Sequence, residues 1–132
     1  MKSITSLVCA LTLGATLVGA ATTAQAADVG AGKAFYEKEY AGNKYATSSG
    51  LGKVGCITCH GSNLSSAGSH VKTGKVIGPM AASKGYVDDR GVKRYSDEAK
   101  MAKWFKRNCN GVLGRECNAT EKANFLAYVK SQ

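Results

Sequence analysis

The sequence predicts an all-α fold in which N- and C-terminal helices pack on each other and an irregular middle lies between them. Three observations predict it. Residues 29–41, behind Asp28, and 96–108, with Asp97 and Glu98 in the first turn, place apolar side chains at helical spacing, and a third helical stretch begins at Asn118. No stretch reads as a convincing strand. Finally, Cys56-Ile57-Thr58-Cys59-His60 reads C-x-x-C-H, the attachment pattern of a c-type haem. Such a group supplies the core that the middle of the chain lacks.

The chain opens with Lys2, an apolar run from Ile4 to Ala20, and then Ala24-Gln25-Ala26. This is the pattern of a secretory signal peptide over 1–26, cleaved after Ala26. The run holds three threonines and two glycines, so it makes a poor stable membrane insertion. Cys9 stands too early to be a lipoprotein cysteine. Residues 27–132 are then a single monohaem domain, expected in the periplasm. About a hundred residues carry only a modest core, which a covalent haem enlarges.

Along that domain, Asp28 can cap a helix over 29–41, with Gly32, Phe35 and Tyr36 on one face. Residues 42–55 are rich in Gly, Ser, Asn and Lys and read as loop. Residues 61–95 hold the single proline, Pro79, and no clean period. So long a loop is unusual in an ordinary domain, and a wrapped cofactor removes the objection. Ser96 starts the next helix, with Asp97 and Glu98 where acids favour the dipole, and Asn108 ends it. Asn118 starts the last helix with Glu121 in a capping box. Phe125, Leu126, Tyr128 and Val129 give that helix its apolar surface.

The C-x-x-C-H spacing carries the chemistry. Cys56 and Cys59 can each form a thioether with a haem vinyl group, and His60 then serves as the proximal iron ligand. A redox dithiol would sit at a helix start in a βαβ context, which is not seen. A zinc site would need two further ligands in a compact cluster. Cys109 and Cys117 remain, eight apart, and in an oxidising compartment they read as a disulfide closing a loop with two glycines. Two free thiols are the competing reading. The 18 basic against 9 acidic residues give a net charge of +9. That points to an acidic protein partner or to solubility, and after export not to nucleic acid.

The sixth iron ligand is less directly written. Met101, Trp104, Phe105 and Asn108 fall at i, i+3, i+4 and i+7, so they share a helix face. Lys100, Lys103, Lys106 and Arg107 occupy much of the rest. The stripe is expected to face the haem, with Trp104, Phe105 and Met101 as a pocket wall that limits water access. Asn108 is expected on the buried side, where its amide must find a partner, and iron is one. Met80, Met101, His70 or an open position compete. Met80 follows Gly78-Pro79 but lies only twenty residues after His60.

Arg107-Asn108-Cys109-Asn110-Gly111-Val112-Leu113-Gly114-Arg115-Glu116-Cys117 resembles the signature of the sphaeroides haem protein (SHP) family of monohaem c-type cytochromes. Lys103-Trp104-Phe105-Lys106, Ala119-Thr120-Glu121-Lys122, Lys72-Thr73-Gly74-Lys75-Val76-Ile77 before Pro79-Met80, and Arg94-Tyr95-Ser96-Asp97 are similar too. The related cytochromes c double-prime carry histidine where this chain has Asn108. The segment 82–93 is longer than the family pattern. The resemblance implies a class I cytochrome c-like fold with one covalent haem c. It also implies Asn108 as the distal ligand and a Cys109–Cys117 disulfide. A neutral amide suits ferric iron better than softer ferrous iron. The resemblance implies that Asn108 leaves on reduction and that the ferrous haem binds O2, NO or CO. It further implies a dihaem cytochrome c, or a similar acidic protein, as electron donor, with oxygen reduction or nitric oxide oxidation as the chemistry. The alternatives are an electron carrier with a methionine ligand and a gas-binding protein without turnover.

Overall fold

Asp28 opens the first helix: its carboxylate accepts the Ala31 N–H at 2.8 Å, and α1 runs over Val29–Glu37. The computed structural model describes residues 25–84, 87 and 91–132. The expected signal peptide lies almost wholly outside these residues, as does part of the unusual 82–93 segment.

The partner of α1 is the last helix, α5 (Ala119–Lys130), which closes the chain against its own beginning. Asn118 and Glu121 form the expected capping box there, and Arg115 holds the same Glu121 carboxylate with two nitrogens. Between α1 and α5, Phe35 meets Phe125 edge-on at 6.3 Å and Tyr36 meets Tyr128 at 5.5 Å. Gly32 permits this approach, because a Cβ there would stand 2.0 Å from the Asn124 carbonyl oxygen.

The middle of the chain is more ordered than its composition suggests. Two short antiparallel hairpins are present: β1 (Tyr40–Ala41) with β2 (Lys53–Val54), and β3 (Gly68–Ser69) with β4 (Val76–Ile77). The first encloses α2 (Lys44–Ser49). Asn43 caps α2, accepting from the Ala46 N–H and donating to the Tyr40 carbonyl, so this buried amide is satisfied. The helix α3 (Cys56–His60) carries the C-x-x-C-H motif, and a 3-10 turn spans Ala82–Lys84.

α4 (Glu98–Leu113) begins behind Asp97, whose side chain accepts the Lys100 N–H, and ends at Gly114 in the left-handed region, φ 72°. It therefore runs five residues beyond the expected end at Asn108. Gly111, expected in a turn, lies inside the helix, where a Cβ would stand 2.3 Å from the Tyr45 ring. Its role is close packing of α2 on α4. The core gathers Tyr36, Leu64, Ala81, Phe105, Phe125 and Val129, with Cys56, Ile57, Met80, Tyr95 and Met101 packed on its edge. No helix among the described residues is long and apolar enough to cross a membrane.

Candidate haem site

The motif helix is held from three sides. At its start, Gly55 passes so close to the Lys38 carbonyl that a Cβ would stand 2.3 Å from it. The Gly55 N–H donates to the Thr58 hydroxyl, which in turn donates to Glu39, both at 2.8 Å. At its end, Gly61 turns the chain at φ 73°, and its carbonyl accepts the hydroxyl of Tyr36. Tyr36 is wholly buried, and burial first, then the nearby Cys56 thiol, pushes its phenol well above the ordinary range. It is a pure hydrogen-bond donor here. On the third side, Gly68 of β3 lies against the α3 backbone, where a Cβ would meet the Cys59 oxygen at 2.0 Å.

Cys56 and Cys59 are free thiols, both half-buried, on one short helix. Burial pushes the Cys56 thiol up to about 11. A redox-active C-x-x-C lowers this value to make a thiolate, so the environment speaks against dithiol chemistry. Among the described residues no group of three or more His, Cys, Asp or Glu is arranged to hold a metal ion. Burial, then the charge of Arg94, hold the His60 imidazole down to about 4, so it is neutral at physiological pH. Its Nδ1 is buried without a hydrogen-bond partner. An unpartnered, neutral, buried imidazole beside two thiols fits a covalently attached haem: Cys56 and Cys59 would hold the porphyrin edge and His60 the iron.

On α4 the structure redraws the expected stripe. Phe105 is buried with its ring 5.6 Å from Phe125, and Met101 is half-buried against the same core. Trp104 is 45% exposed, and the Arg107 guanidinium lies 5.6 Å from its ring centroid. Asn108 is exposed rather than buried. The reason is geometric. The disulfide joining Cys109 to Cys117 is buried, so the core ridge runs through Met101, Phe105, Cys109 and Val112. Asn108 follows Phe105 and precedes Gly111 by three residues each, which places it roughly 60° around the helix from both. Both of those residues are covered, one by the core and one by Tyr45. Asn108 thus occupies the open strip between two packed flanks.

The N–H groups of Met80 and Ala81 both donate to the Leu64 carbonyl, and the Tyr95 hydroxyl donates to the Met80 carbonyl. His70 stands edge-on to Tyr45 at 5.5 Å, and its Nδ1 accepts the Lys72 N–H. Arg94 and Tyr95, which the sequence marks only through the family resemblance, grip the Pro79-Met80 segment. Tyr95 carries the one non-glycine positive φ among the described residues, 65°, a feature with no composition signal.

A five-residue C-x-x-C-H helix in an all-α domain closed by its own terminal helices defines a c-type cytochrome. Residues 22–129 match the family described as a domain of unknown function, DUF1924. The chain is 39% identical over 106 residues to cytochrome c-type protein SHP of Cereibacter sphaeroides, covering 80% of this chain and 72% of that one. Cytochrome c'' of Methylophilus methylotrophus is 35% identical over 101 residues, 76% of this chain and 62% of that one. The structure of oxidised SHP, described as an oxygen-binding cytochrome c, superposes with a TM-score of 0.65 at 39% identity, over 80% of this chain and 83% of that one. Oxidised cytochrome c'' gives 0.60 at 30% identity, over 79% and 75%. The chain belongs to the SHP and cytochrome c'' family of monohaem c-type cytochromes, and its cofactor is haem c.

Proposed function

We propose that this is a periplasmic cytochrome in which His60 and Asn108 hold ferric iron, and in which Asn108 withdraws on reduction so that O2, NO or CO can bind. The observation that carries the reading is the placing of Asn108 on the unpacked strip of α4, one residue before a buried disulfide. Its neighbour Cys109 is tied by the disulfide, and its own side chain is exposed. When bound, the haem supplies a one-electron couple and one exchangeable coordination position. His60 holds one side as a neutral imidazole. The amide of Asn108 is a neutral, hard ligand, so its hold weakens in the softer ferrous state. Phe105 and Met101 contribute apolar wall beside it, and Trp104 contributes the outer rim.

The relative whose structure is described as oxygen-binding supports O2 as one ligand. Reduction of oxygen and oxidation of nitric oxide are distinguished by the product formed during turnover. A methionine ligand receives less support at Met101, which packs against the core. Lys100, Lys103, Trp104 and Arg107 line a shallow cleft, a basic surface suited to an acidic donor such as a dihaem cytochrome c. Reduction by that donor slows as salt screens the charges.

The decisive experiment is the visible spectrum of the purified holoprotein, oxidised and then reduced without air. Low-spin ferric bands giving way to a high-spin ferrous spectrum that binds CO promptly support the proposal. A low-spin ferrous spectrum indifferent to CO refutes it.

A further inference from the structure

We propose that Arg94 is a positioning residue: it fixes a positive charge on the His60 side of the haem and so biases the iron toward the ferrous state. The contacts form a continuous chain. Gly68 lies on α3 so closely that a Cβ there would stand 2.9 Å from the Cα of His60. Gly68 pairs with Ile77 across the second hairpin. Gly78 and Pro79 leave that hairpin directly. The Arg94 guanidinium donates to the Pro79 carbonyl, and its second nitrogen lies 3.9 Å from where a Gly78 Cβ would stand.

The next residue locks the arrangement. Tyr95 holds a left-handed backbone, which a non-glycine residue keeps only where its surroundings over-determine it. Its hydroxyl bonds the Met80 carbonyl, and the Arg94 guanidinium lies 5.8 Å from its ring centroid. Two adjacent side chains thus grip two adjacent carbonyls. The guanidinium is fixed by geometry rather than swinging in solvent, on a segment that leads directly from the hairpin seated against His60.

Ferric haem carries one more positive charge than ferrous haem, so a fixed cation nearby disfavours the ferric state. At an effective dielectric constant of about 20, one unit charge at about 10 Å changes such an equilibrium by roughly a factor of ten. The inference rests on haem attachment at Cys56, Cys59 and His60. Covalent haem retained on a denaturing gel checks that reading first, so its failure is seen separately.

The test is the midpoint potential of the holoprotein in R94Q, R94M and R94K. Both neutral variants are expected to shift the equilibrium about tenfold toward the ferric state, a fall of about 59 mV for one electron. R94K keeps the charge and is expected within threefold of the parent. A shift under threefold in the neutral variants overturns the proposal. So does R94K shifting as far as R94Q, since loss of the guanidinium clamp alone would then account for the effect. R94M preserves an apolar stem and stands in if R94Q does not retain haem.

Discussion

Replacing Gly32 with alanine tests whether the terminal helix pair is the platform on which His60 is held. The added Cβ would stand 2.0 Å from the Asn124 oxygen, 2.6 Å from its carbonyl carbon and 2.8 Å from the Tyr128 Cβ. None of these is the loose end of a side chain, so α1 and α5 must part by roughly 1 Å. A gap of that size forfeits about a quarter to a half of each dispersion contact it opens. It weakens the Phe35–Phe125 and Tyr36–Tyr128 pairs, each worth about 0.5–1.5 kcal/mol. It also stretches the 2.8 Å bond from the Asp28 N–H to the Asn124 side chain, worth about 1 kcal/mol. Helix propensity returns about 1 kcal/mol. The net expectation is a loss of about 1 kcal/mol, at the low end of the usual range for overpacking. Guanidinium unfolding of the holoprotein, followed by far-UV circular dichroism, should show a lower midpoint with an unchanged slope. Tyr36 sits one turn on and bonds Gly61, so the His60-sensitive haem bands should broaden or shift as well. An equal or raised midpoint would refute the reasoning.

Three further outcomes are expected. N108A should give a high-spin ferric spectrum while leaving the ferrous spectrum as in the parent; a changed ferrous spectrum alone would count against Asn108 as the redox-dependent ligand. Replacing Cys109 and Cys117 together with alanine should cost about 2–3 kcal/mol in the chain-entropy picture of a short loop. It should also alter ferrous CO-binding rates if the cross-link limits the swing of Asn108, and unchanged rates would leave only the stabilising role. Glu121 is held below the usual carboxylate range, first by its hydrogen bond from Arg115. A depressed folded value means stability that is present above the unfolded value of 4.5 and lost as pH falls through the lower folded value. E121Q should therefore be less stable than the parent at pH 7, with the difference shrinking below about pH 4.5; a difference constant with pH would exclude the Arg115 pair as its source.

The helix caps were legible because capping is local chemistry. Asp28 and Asn118 each accept an N–H three residues on and were read from their own neighbourhood; Asp97 does the same, one residue past the expected start at Ser96. The C-x-x-C-H motif was legible for the same reason. The two hairpins were not: paired dipeptides are too short to show alternation, and their close approaches, Gly55 on the Lys38 carbonyl and Gly68 on α3, join residues distant in sequence. Gly111 was misleading because a glycine inside a helix and a glycine in a turn look alike until Tyr45 is placed against it. The i, i+3, i+4, i+7 face was real, but it spans a wide arc. Only the inward pull of the buried Cys109 shows that Phe105 lies at its packed edge and Asn108 in the open. The grip of Arg94 and Tyr95 on Pro79 and Met80 joins residues fifteen apart through backbone carbonyls, which carry no side-chain signature.

The pairing of α1 with α5 also orders events in time. A chain is made from its beginning, and here the beginning can be covered only by the end. Until Phe125, Tyr128 and Val129 exist, Tyr36 has no wall to rest on and cannot fasten Gly61. Contacts this distant in sequence form slowly compared with local ones. The two thiols therefore spend the whole of synthesis, and the interval after it, on an unclosed chain. An attaching enzyme that needs the two thiols as accessible peptide would find them so before the last helix docks, and that helix would then close over the product.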